Sequence, residues 1–407
     1  MTRRAFDRQQ RVQLALIAAV QVLVMASWFS ASAVVPALRQ DWDISAGQST
    51  LLTIAVQLGF VVGAVSSAAF NVSDVFPAHR VVALAAAVAA ASTATIAVAV
   101  DSLWPAVALR FLTGIALAGV YPTGLKLMTS WFDSGRGFAL GVLVAALTLG
   151  SSLPQLINSF ASLPWRGVLG VSSALALLGA ALAWRFVRPG PLTRPAPPLN
   201  PRYVLTLFTQ RGPLLANLGY FGHMWELYAM WTWLPAYLTA SLLLSGTADP
   251  SRTVIGLTAF ACIGIAGVLG CLIGGALGDR LGRARVAGWA MRISATCALV
   301  AALAFGSSPY LVVSFLLVWG ASVIADSGLF SSCVADVVDP RYTGTALTTQ
   351  TAVGFALTVL TIQAVPLLVE FAGWPAATTM LALGPIAGAV AMSKLQVMLD
   401  ATSAPGT

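Results

Sequence analysis

Charge is what this sequence has least of: 9% of its residues are Asp, Glu, Lys or Arg, against 58% hydrophobic. A soluble domain usually carries about a quarter of its residues as charged groups. Too few are present to coat a water-facing surface, so lipid must be the solvent for most of the chain, and no soluble domain is left over. Lysine is nearly missing, since all but two of the 22 basic residues are arginine. The basic residues are scattered through short connections without a dense patch, so the net charge of +8 does not point to nucleic acid. With two histidines there is no H-E-x-x-H site, and no G-x-S-x-G elbow occurs, which leaves an enzyme without a catalytic cluster. The four cysteines, Cys262, Cys271, Cys297 and Cys333, lie in apolar segments with no C-x-x-C or Cys/His spacing. Neither a disulfide, a metal nor a cofactor is expected.

What the chain has is long apolar runs. A basic start, Met1 to Arg11, precedes an apolar stretch from Val12 to Leu38, too long for a signal-peptide core and expected to remain as a first membrane span. Runs of about 20 apolar residues recur, each able to cross a ~30 Å hydrocarbon layer as a helix. They fall near 12–38, 48–70, 80–100, 104–130, 137–160, 166–187, 213–244, 253–278, 286–306, 309–334, 343–369 and 374–396. The expected fold is therefore an all-α integral membrane protein of twelve transmembrane helices. With the N-terminus inside, one side collects sixteen Arg and Lys residues and the other only Arg39, Arg166 and Arg252. By the positive-inside rule both termini are cytoplasmic, in a multi-pass protein of the cell (inner or plasma) membrane.

The longest connection carries Pro189, Pro191, Pro195, Pro197, Pro198 and Pro201, which favours extended chain. It reads as a cytoplasmic linker, 189–212, between six-helix bundles at 1–188 and 213–407. Landmarks recur about 200 residues apart. Arg136-Gly137 is echoed by Arg341 to Gly344, Trp165 by Trp374, and Pro36-Ala37-Leu38 by Pro235 to Leu238. Two pseudo-symmetric halves are the signature of alternating-access transporters.

The sharpest motif runs from Gly274 to Arg285, reading GGALGDRLGRAR. Here the chain resembles the major facilitator superfamily, whose signature loop reads G-x-x-x-D-R-x-G-R. The resemblance implies that Gly275, Asp279, Arg280, Gly282 and Arg283 latch the cytoplasmic face. The equivalent place between spans two and three is degenerate, with Asn71 at the acidic position and Asp74 displaced. Asn71-Val-Ser73 also matches a glycosylation sequon, on the expected cytoplasmic side. Arg110 to Gly114 resembles the family's R-x-x-x-G element. Tyr121-Pro122, Trp131-Phe132 and Arg136-Gly137 resemble the branch carrying nitrate/nitrite and small organic anions. Gly141, Gly150 and Pro154 are a loose echo of the element of proton–drug antiporters.

Ionisable groups within the spans are the functional candidates, because charge near the bilayer centre costs at least ~2.5–3.5 kcal/mol. Glu226 lies near mid-depth, with His223 one turn before it. On an ideal helix Gly219, His223, Glu226, Met230 and Trp233 share a stripe. Glu226 and His223 are candidates to exchange a coupling proton, and Asp326 joins them. The alternative is a neutral Glu226 hydrogen-bonded for packing. Lys126 is a candidate substrate contact that could also snorkel to the cytoplasm. Arg110 lies about 160° around an ideal helix from Lys126, so both face a cavity only if Pro122 twists the span; the resemblance favours Arg110. Trp28, Ser27, Tyr121, Trp225 and Trp319 are neutral candidates, and Arg292 is expected to snorkel.

These readings point to a proton-coupled secondary transporter of a small solute, a small organic anion above all, with protons and the bilayer as partners and a monomeric state. A drug or metabolite efflux pump and a non-transporting sensor are the alternatives.

Overall fold

The computed structural model describes residues 7–70, 72–132, 136–160, 163–192 and 201–403. Asn71 and the prolines at 195, 197 and 198 lie outside them, as does the side chain of Asp74. Every regular element among the described residues is helical, as an apolar solvent demands, because a helix satisfies its backbone within one segment.

Helix α1 (Arg8–Met25) opens on a capping box in which Asp7 accepts from the Gln10 N–H and Gln10 returns to the Asp7 N–H. After α2 (Val35–Trp42), α3 (Ala46–Ala69) opens on the same device, built from Ser45 and Gln48. The first half continues with α4 (Ala78–Ala99), α5 (Leu103–Ala118), α6 (Tyr121–Trp131), α7 (Arg136–Ser159) and α8 (Trp165–Phe186). The second half begins with α9 (Arg211–Leu244) and α10 (Arg252–Phe260), which runs through a π-helical segment, Ala261–Ala266, into α11 (Gly267–Leu281). Then come α12 (Arg283–Leu303), α13 (Pro309–Ala325), α14 (Ser327–Val337) and α15 (Thr343–Ser403).

Ten helical stretches among the described residues are long and apolar enough to cross a membrane, against the twelve expected. The two differences are local. The expected span 12–38 is interrupted: α1 ends at Met25, residues 26–31 are turns and bends, and a 3₁₀ turn, Ser32–Val34, leads into α2. At the other end α15 counts once, although 61 straight residues would be roughly 90 Å long, about three bilayers. Gly373, at φ 78°, breaks it into two arms, each with the length of a span.

The expected duplication is visible as element order. The broken pair α5/α6 returns as α13/α14, and α6 and α14 are both 11 residues long. In each half one helix pair approaches closely through glycine. A Cβ on Gly63 would sit 2.7 Å from the Ile115 carbonyl oxygen, joining α3 to α5. Cβ atoms on Gly270 and Gly274 would collide with the backbone of Ala321 and Ala325, joining α11 to α13. Helix ends also sort by face: Trp165 Nε1 donates to Asp41 at 2.6 Å beside the Arg166–Asp101 ion pair, whereas Gln10 meets the Trp131 carbonyl at 2.9 Å. Helices therefore traverse the molecule end to end.

Candidate functional site

The interrupted first span creates free backbone carbonyls in the interior, and Arg110 of α5 takes them. Its Nε donates to Leu52 O at 3.2 Å, Nη1 to Ser27 O at 2.7 Å and Ser30 Oγ at 3.3 Å, and Nη2 to Trp28 O. The residue is fully buried. Its positive charge caps the carbonyl end of α1, where the helix dipole is negative. The structure thus gives Arg110 a backbone clamp, where the sequence suggested a substrate contact. Arg110 and Lys126 do not share one helix, because the chain turns at Gly119 and Val120 and restarts with Pro122 in the first turn of α6. Lys126 is half-buried on α6.

Trp28, in the interrupted stretch, stacks on Tyr228 of α9 at 5.8 Å between ring centroids and meets Phe60 at 5.0 Å and Phe355 at 5.6 Å. Phe29 stacks on Tyr228 at 6.0 Å and meets Trp231 edge-on at 5.9 Å. These rings form an aromatic seam where the first half meets the second, near the middle of each helix. Tyr121 is half-buried and an electrostatic neighbour of Tyr220 and Tyr228, which places it at the same junction.

Behind the seam, inside the second half, the ionisable candidates come together. His223 Nδ1 lies 2.8 Å from Asp326 Oδ1, both side chains almost fully buried. Asp326 occupies the break between α13 and α14, where its carbonyl accepts from the N–H groups of Leu329 and Phe330. Glu226 does not pair with His223 as its spacing suggested. It accepts from Ser294 Oγ of α12 at 2.7 Å and from Trp319 Nε1 of α13 at 2.7 Å, with Asp326 close enough to act on it electrostatically. Three helices therefore hold one cluster of two carboxyls and an imidazole.

The hydrogen-bond partners of Glu226 fit two protonation states. Trp319 Nε1 can only donate, whereas the Ser294 hydroxyl can turn from donor to acceptor. A carboxylate takes both N–H and O–H; a neutral acid accepts from Trp319 and donates to Ser294 without leaving a polar atom unmatched. Two cavities bear on this cluster: one of about 20 Å³, lined by Trp319, and one of about 40 Å³, lined by Cys271 and Ala325. Both fall far below the ~300 Å³ of an ordinary small-molecule pocket, so neither admits an organic anion as it stands.

Trp225, a neutral candidate, donates to the Met380 carbonyl at 3.0 Å within its own half, away from the seam. Arg292 donates to Ser393 Oγ at 2.6 Å. Sequence reasoning missed Ser294, because an isolated serine in an apolar run carries no signal.

The basic loop joins α11 to α12. Arg280 is exposed at the end of α11. Gly282, at φ 99°, ends the helix and turns the chain so that Arg283 begins α12. Arg283 Nη1 then meets both carboxylate oxygens of Asp336 at 2.9 Å, on α14 of the same half. Asp279 is exposed and, among the described residues, has no ion-pair partner within 4.0 Å. A Cβ on Gly275 would meet nothing within 4 Å, whereas Gly270 and Gly274 lie against the backbone of α13. Asp279, Gly275 and Arg283 line the 40 Å³ crevice together with Gly141 and Val144 of α7.

The family model of the Major Facilitator Superfamily matches residues 17–360. A probable sulfoacetate transporter, SauU of Cupriavidus necator, is 28% identical over 199 residues, covering 43% of this chain and 44% of that protein. The chain thus spans less than half the length of that relative.

Proposed function

The chain belongs to the major facilitator superfamily and is a multi-pass membrane transport protein, and from that premise we propose that it is a proton-coupled secondary transporter of a small organic anion. The observation that carries this reading is the buried cluster of Glu226, His223 and Asp326, which costs several kcal/mol to keep in a membrane interior and in which the hydrogen-bond partners of Glu226 suit both its ionised and its protonated form once the Ser294 hydroxyl turns. The partly matching sulfoacetate transporter favours an anion with a sulfonate or carboxylate head. Alternating access follows from two half-units, 1–188 and 213–407, rocking about the aromatic seam, with 189–212 as the linker. Such rocking opens the seam toward one side and then the other. Gly275, Asp279, Arg280, Gly282 and Arg283 border the cytoplasmic crevice that such rocking would widen.

Proteoliposome uptake of sulfoacetate under an imposed pH gradient tests the proposal. Accumulation above the equilibrium level, abolished by a protonophore, is expected. Equilibration unaffected by the gradient would contradict coupling. Extrusion alone would favour the efflux reading, and no flux across a panel of organic anions would favour a sensor.

A further inference from the structure

Buried polar groups are almost always hydrogen-bonded, and each exception calls for an explanation. Three exceptions gather at the aromatic seam. Trp28 Nε1, Trp231 Nε1 and both amide atoms of Gln57 have no hydrogen-bond partner among the described residues. None of the three is more than 1% exposed. The two indoles share a neighbour: Tyr228 lies 5.8 Å from the Trp28 ring and 5.7 Å from the Trp231 ring. Gln57 is fixed by the residues around it on α3. Thr53 bonds Ser32 of the interrupted first span at 2.7 Å, Phe60 packs on Phe355 at 4.4 Å, and Thr50 bonds Gln363 of α15. On a helix of 3.6 residues per turn Gln57 projects between those directions, into the junction between the first span, α3 and α15.

A cationic side chain would be the ordinary receptor for an anion, but Arg110, the guanidinium beside the seam, directs four N–H···O contacts at protein oxygens. The ring faces lining the seam carry negative quadrupole charge and repel an anion, whereas ring edges and indole N–H groups attract one. We propose that the anionic head of the substrate is received at this seam by neutral N–H donors, those of Trp28, Trp231 and Gln57, with the aromatic rings as walls. This rests on the organic-anion reading above and adds the recognition chemistry: uncharged dipoles that suit a charge-delocalised sulfonate or carboxylate. The donors have no partner among the protein's own described groups and become matched when the halves part and the anion enters. Binding is thereby tied to the seam that must open.

Losing an unmatched donor costs the fold nothing while a ligand contact is lost; the two Trp→Phe exchanges also leave a cavity in a packed core, so the stability readout is taken from Gln57→Leu, which nearly conserves volume. The test uses the full chain in lipid nanodiscs with sulfoacetate as the probe. Trp28→Phe, Trp231→Phe and Gln57→Leu are compared with wild type and with Trp289→Phe, whose ring is exposed on α12. Each seam variant is expected to weaken sulfoacetate binding about tenfold or more, with the Tm of Gln57→Leu measured without sulfoacetate unchanged or raised and Trp289→Phe like wild type. Affinities within twofold of wild type in all three would overturn the proposal. So would a lowered Tm with affinity intact, which would mean that the donors serve packing. If wild type itself binds neither sulfoacetate nor acetate, the organic-anion reading fails first and the seat falls with it. A seam failure alone leaves wild-type binding in place.

Discussion

At the residue scale, two buried charges have opposite duties. Arg110 holds backbone, and its partners cannot be served by a smaller donor. Arg110→Ala removes the donor to the Trp28 carbonyl and the links to Ser27 and Leu52, a buried unmatched carbonyl costing about 1–3 kcal/mol beside the cavity left by the side chain, and is expected to abolish accumulation of folded protein. Arg110→Lys, a point charge where a planar fork is needed, should lower Tm while leaving some folded protein; detergent-extracted melting curves check both. Glu226 sits where a neutral side chain also fits: a glutamine would accept from Trp319 through its oxygen and donate to Ser294. Glu226→Gln should therefore fold with a Tm near wild type and bind substrate, yet fail to accumulate it against a gradient. Undiminished accumulation with normal pH dependence would move the proton to Asp326. The ionisable positions were legible because a charge in an apolar run is conspicuous. Their pairings were not, since His223 meets Asp326 about a hundred residues away, and periodicity carries no information at that range. Trp231 and Gln57 gave no signal because neutral polar residues are ordinary in membrane helices, and only their lack of partners sets them apart.

At the element scale, the sequence predicts spans well because length and hydropathy set them, and it predicts breaks poorly. Pro122 marks the restart of α6, but no proline or glycine lies between Ala26 and Val34; that break depends on Arg110, a contact from another helix. The glycines of α11 differ in what surrounds them. A methyl group on Gly270 would strike the Ala321 backbone, while one on Gly275 meets open space. Gly270→Ala is accordingly expected to destabilise by about 1–3 kcal/mol. Gly275→Ala should be neutral or stabilising by up to about 1 kcal/mol through helix propensity. Paired thermal melts decide the matter, and equal losses would show that the two helices are not packed as described.

At the scale of the whole molecule, the arginine asymmetry predicts orientation. The four native cysteines are buried, so an introduced thiol reports against a low background. An impermeant reagent added to intact cells should label a cysteine at Asp249 but not one at Leu192, and the reverse pattern would invert the topology. Landmarks repeated about 200 residues apart predict two halves, and the pairs α5/α6 and α13/α14 repeat one element order, since two short helices of equal length follow the same kind of break. The central claim is that the cluster of Glu226, His223 and Asp326 links proton movement to solute movement across this duplicated body. It is tested most directly by following the pH inside and outside proteoliposomes during a pulse of sulfoacetate. Wild type should move protons with the anion, and Glu226→Gln or Asp326→Asn should bind the anion without moving protons. Anion uptake by wild type with no accompanying proton flux would contradict the account.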